Sequence, residues 1–129
     1  MSAERVALAI ARGLCAGGAP KPDLCPVPVE ERQTSDVGVL LEGLDFDARM
    51  RRARAIVLAE WHLEESTLRG SWAFEIATRA RQGGVPAYAV TGENALDPFD
   101  ARILDLQVIV EASNARALVV AGSKLAQVL

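Results

Sequence analysis

Three short apolar runs, Ala55-Ile56-Val57-Leu58-Ala59, Val85 to Val90 and Leu106 to Val110, alternate along the chain with segments of helical periodicity. Neighbouring parallel strands need a crossover of a dozen or more residues, usually a helix, so this alternation predicts a mostly parallel sheet covered on both faces. The unbroken apolar run at 55–59 suits a strand buried on both sides, and Pro86 is tolerable near the start of its strand. Half of the residues are hydrophobic but only 5% are aromatic, so Ala, Val, Leu and Ile must build the core. With 129 residues the chain is long enough to bury that core as one domain, spanning 1–129.

The helical segments carry start and stop signals. Val6, Ile10 and Leu14 recur every four residues after Ser2, and Gly17-Gly18 followed by Pro20 stops the pattern. Val37, Leu40, Leu41 and Leu44 share one face, and Asp45 to Arg52 predicts a further short helix with a basic end at Arg49, Arg51 and Arg52. Ser71 begins a helix to Gln82, with Trp72, Ile76 and Ala80 on one face and Gly83-Gly84 as terminator. Asp97-Pro98 caps a short helix over 97–104. Ser113 or Asn114 caps the last helix, whose Leu118, Gly122, Leu125 and Leu129 fall on one side. Two segments are weaker. Asp23 to Val29, with Pro26 and Pro28, predicts an edge strand or an extended connection, and Glu30 to Ser35 is polar and turn-like.

A net charge of -3 argues against nucleic-acid and anionic-membrane partners. The first residues lack the pattern of a signal peptide, and no stretch approaches the roughly 20 apolar residues of a membrane span, so a cytoplasmic location is expected. Cys15 and Cys25 lack metal-ligand or redox spacing and are expected as reduced, partly buried residues.

Ligands of parallel sheets sit beyond the carboxyl ends of the strands, which singles out Glu60 to Gly70, Thr91 to Asp97, Glu111 to Asn114 and Glu30 to Thr34. Glu60 stands at an expected strand end. His62, the one histidine, lies among Glu60, Glu64 and Glu65, a weak metal or acid/base signal that a loop histidine paired with a carboxylate also explains. Thr67, Arg69 and Gly70 precede the helix from Ser71, whose exposed N–H groups attract anions; capping alone explains the same residues. Thr91 and Gly92 either line the same cleft or form a tight turn.

Two separated segments resemble the glycerate kinase family, which transfers a phosphoryl group from ATP to glycerate. The first is Ser2 to Leu14 with Asp23-Leu24-Cys25-Pro26-Val27; the second runs from Asp36 to about Val110 and includes Gly43-Leu44-Asp45, the 55–59 run, Leu63 to Gly70 and Gly84-Val85-Pro86. The resemblance implies a three-layer Rossmann-like or flavodoxin-like α/β domain with a sheet of about four strands. It also implies departures. The family opens with a lysine-bearing strand and turn, after which this chain is expected to start, and it carries a second lobe where only residues 30–35 stand here. Its acidic, glycine-rich loop falls on Pro28-Val29-Glu30-Glu31-Arg32-Gln33-Thr34, where no glycine remains. Its second signature falls on Leu58 to Thr67. There Glu60, Leu63 and Thr67 match, Glu64 replaces an aspartate, and Trp61 stands in place of a glycine.

Phosphoryl transfer needs a cation, metal ligands and backbone donors around the γ-phosphate, and most of those parts are missing. The resemblance therefore implies a non-catalytic relative that binds a partner or forms a homodimer through an uncovered sheet edge. The alternatives are a phosphotransferase completed by a partner chain and a binder of a small anionic ligand. No cofactor is expected, with ATP and magnesium reserved for the case in which kinase activity is retained.

Overall fold

The computed structural model describes residues 1–68 and 70–129, with the backbone alone at 34, 67 and 68. The elements run α1 (Ala3–Ala16), α2 (Val29–Thr34), α3 (Val37–Gly43), α4 (Phe46–Arg52), β1 (Ile56–Leu63), a 3-10 turn (Glu65–Leu68), α5 (Trp72–Gln82), β2 (Ala87–Asn94), α6 (Pro98–Leu104), β3 (Leu106–Glu111) and α7 (Ala115–Ala126). Most helix starts follow from local chemistry. The side chains of Ser2, Asp36, Ser71, Asp97 and Asn114 accept from the N–H of Arg5, Val39, Phe74, Asp100 and Ala117, which satisfies donors that the first turn leaves free. Asn114, rather than Ser113, caps α7, and that helix stops short of Leu129.

The sheet is parallel in the order β1-β2-β3. It has three strands among the described residues rather than about four. Asp23 to Pro28 is the extended connection and not an edge strand, because its prolines remove ladder donors and its anchors are side-chain contacts from Arg49; Val29 already opens α2. Pleat alternation divides the core. Ile56 and Leu58 of β1 and Ala87 and Ala89 of β2 join Leu41, Met50, Trp72 and Ile76 on one face. Val57, Ala59, Tyr88 and Val90 join Ile10, Leu14, Leu118 and Leu125 on the other. α3, α4 and α5 thus cover one face and α1 and α7 the second, giving three layers.

On the second face α1 and α7 meet at glycines. A Cβ on Gly122 would come within 2.3 Å of the Ile10 carbonyl oxygen, and one on Gly13 within 1.9 Å of the Val119 carbonyl oxygen. The backbones therefore touch, and the Ser123 hydroxyl donates to the Gly13 carbonyl at 3.1 Å.

Three expectations change. Residues 29–34 are helical, not turn-like. Glu30 and Glu31 favour the positive end of the helix, and a tertiary anchor at Arg32 holds a segment too short to be stable alone. β1 and β2 each run longer than their apolar cores, pairing to Leu63↔Asn94, so Thr91 to Asn94 is strand and not a tight turn. Cys15 is exposed rather than partly buried, while Cys25 is intermediate, and both are free.

Candidate functional site

Glu60 lies within β1, not in a loop beyond it, and its carboxylate meets Arg32 of α2 at 2.7 Å. The pair is largely enclosed, with 11% of the Arg32 side chain and 21% of the Glu60 side chain exposed. The Arg32 guanidinium sits over the indole of Trp72, 5.9 Å from its ring centre, at the start of α5. Its Nε is buried without a hydrogen-bond partner among the described residues. Burial raises the pKa of Glu60, and the charge and hydrogen bond of Arg32, with a smaller contribution from His62, pull it back. His62 is an exposed strand residue rather than a loop residue.

The neighbouring rung is also occupied. Thr91 is 1% exposed, and its hydroxyl faces the carbonyl oxygens of Trp61 at 3.3 Å and Glu93 at 3.1 Å. The Trp61 indole lies against Gly92: a Cβ there would stand 2.7 Å from the ring and 2.9 Å from the Trp61 carbonyl oxygen. Only glycine at 92 lets the indole occupy this place.

Glu60, Thr91 and Gly92 thus come together, and all three line a cavity of about 690 Å3 beside β1. Glu64 and Gly70 do not line it. Glu64 accepts a hydrogen bond from the Ser66 hydroxyl at 2.9 Å, and Gly70 is exposed with φ +70. Thr67 belongs to the 3-10 turn, and Arg69 lies outside the described residues. Among the described residues no group of three or more His, Cys, Asp or Glu is placed to hold a metal ion. Sequence reasoning missed Arg32 and Trp72 as members of the site. The only signal was an arginine standing in what the resemblance made a glycine-rich anion loop.

At the other end of the cavity the connection 19–27 is held by Arg49. Its guanidinium binds both carboxylate oxygens of Asp23 and the Leu24 carbonyl. The hydrogen bond from Arg49 lowers the pKa of Asp23, and burial raises that of the Cys25 thiol.

No described helix is long and apolar enough to cross a membrane. No curated protein and no solved structure matches the chain. The glycerate kinase family model matches residues 13–122, which takes in every element that shapes the cavity except the first turns of α1 and the last residues. The chain belongs to the glycerate kinase family.

Proposed function

We propose that this chain is a non-catalytic member of its family, a binding or structural module that works by contact with another polypeptide. The observation that carries the reading is the Arg32–Glu60 pair over Trp72. Arg32, which stands in the segment that matches the family's anion loop, is already neutralised by a carboxylate and packed against an indole. Recruiting it would leave Glu60 without its counter-ion in a poorly solvated place, at a cost of about 2 kcal/mol. Trp61 fills the adjoining space over Gly92. These residues do not fit a magnesium-bound nucleotide, which needs free cations, open backbone donors and carboxylates that face the metal.

A thermal-shift series with ATP, ADP, glycerate and magnesium tests the reading, because a ligand that binds the folded state raises Tm. The expected result is an unchanged Tm with each and no glycerate-dependent release of ADP. A rise with nucleotide, or turnover, overturns it.

A further inference from the structure

The cavity follows the free edge of β1. α1 walls it on one side of the sheet through Ile10 and Leu14, α4 on the other through Phe46 and Met50, and the connection 19–27 closes its outer side. That connection is pinned along its length. The Ala19 N–H donates to the Leu14 carbonyl, Arg49 holds Asp23 and Leu24, and Val27 is buried in the α5-side core.

The floor of this slot carries backbone groups that β2 does not take up. The Ile56 N–H donates to the Pro86 carbonyl at 2.9 Å, so the parallel ladder turns the N–H and C=O of Ile56 and Leu58 toward β2. Those of Val57 and Ala59 therefore point away from β2, into the slot. Among the described residues the 19–27 connection makes no backbone hydrogen bond to them. Edge N–H and C=O groups repeated at about 6.7 Å along a line are matched by another strand. A compact apolar molecule does not offer that spacing. The β1 edge of a second copy does not offer it either, being flanked by α1 and α4 and walled by its 19–27 connection.

Charge marks one end. Arg49 is neutralised by Asp23 and Arg32 by Glu60. Lys21, Arg52 and Arg54 also line the slot, are exposed, and form no salt bridge among the described residues. Arg52 and Arg54 directly precede β1 in the chain, and Lys21 stands in the 19–27 connection.

We propose that the slot binds an extended peptide segment by strand addition to β1. Alternate apolar side chains of the segment meet the α1 and α4 walls, and its acidic end lies beside Lys21, Arg52 and Arg54. Such augmentation draws affinity from main-chain hydrogen bonds and specificity from alternate side chains. The proposal rests on the binding-module reading and names the kind of partner.

The test titrates the full chain into a fluorescein-labelled peptide of alternating valine and threonine carrying two aspartates at one end, made in both sequence directions. Anisotropy reads binding, and amide hydrogen exchange reads Val57 and Ala59. The expected result is saturable binding of one direction and slowed exchange at both amides. Binding is expected to weaken about tenfold with Arg52→Glu/Arg54→Glu, or when lysines replace the aspartates. Ala59→Pro removes an outward donor without touching the ladder to β2, and weakens binding roughly fivefold. If that variant fails to fold by circular dichroism, charge reversal and exchange at Val57 carry the test. The proposal is overturned by an absence of saturable binding at millimolar chain. Binding without protection of Val57 and Ala59 also overturns it, as does protection that appears with chain concentration alone and so reports a second copy. Glycerate phosphorylation by the same preparation, alongside normal peptide binding, would remove the non-catalytic reading and leave the slot assignment standing.

Discussion

The α1–α7 crossing and the β1 edge are built to opposite tolerances. At the crossing, Gly13 and Gly122 bring two helix backbones into contact, and there is no room for one added carbon. At the edge, some 690 Å3 stays open between a strand and a connection that does not bond to it. Both regions share the core that runs through Ile10, Leu14 and Leu118, so composition does not separate them. What separates them is whether each polar backbone group finds a partner inside the chain. Helices carry theirs internally and can close on one another, whereas a sheet edge is left to water or a covering segment unless another strand completes it.

The largest expected effect lies at the crossing. Gly122→Ala gains up to about 1 kcal/mol of helix propensity, yet its Cβ meets the backbone at 2.3 Å and cannot be accommodated by a side-chain shift. A net loss of about 3 kcal/mol in urea unfolding is expected. A neutral result would show the two regions to be equally loose.

Next comes the ion pair at the far end of the slot. Arg32→Ala leaves Glu60 enclosed without a counter-ion and is expected to cost about 2 kcal/mol at neutral pH, below the cost of a fully buried pair because both side chains retain some solvent. Burial raises the Glu60 pKa above 4.5, and removing Arg32 raises it further. A raised carboxylate favours the folded state only while protonated, so the cost is small in acid and grows as pH rises above 4.5 through the folded value. Unfolding curves of the two proteins across that window check it; a difference that shrinks with rising pH would contradict it.

A smaller effect belongs to the pinned connection. Asp23→Asn is expected to cost less than about 1 kcal/mol, since the carboxylate is mostly exposed. Its pKa is lowered below 3.8, so its contribution is present above that value and fades as pH falls through the folded one. The Tm difference between the two proteins should therefore vanish in strong acid, and Cys25 should alkylate faster in the variant at neutral pH. Smallest of all, Cys25→Leu adds volume inside the slot and is expected to shift stability by no more than about 0.5 kcal/mol. The same added bulk that breaks the crossing would be absorbed at the edge.

Much of this architecture could be read from residues near one another in the chain. The caps at Ser2, Asp36, Ser71 and Asp97 act over three residues, and the runs at 55–59 and 106–110 announce strands through their own side chains. Position along the chain marks Glu60 but not its partner, because Arg32 stands 28 residues away in a segment whose composition suggests a turn. Thr91 and Gly92 stand out in the sequence as an expected strand end. Their actual environment, a hydroxyl on the Trp61 carbonyl and an indole on a glycine, depends on two strands extending together beyond their apolar runs.

Periodicity and capping are satisfied locally, and they suffice for the layered α/β plan, the parallel direction of the strands and most helix starts. That 29–34 is a helix, that the connection at 19–27 stands off β1, and that Arg32 pairs with Glu60 emerges only in the folded chain. Each of those outcomes is set by a contact between distant segments, whose energy exists only once the chain has closed around the sheet.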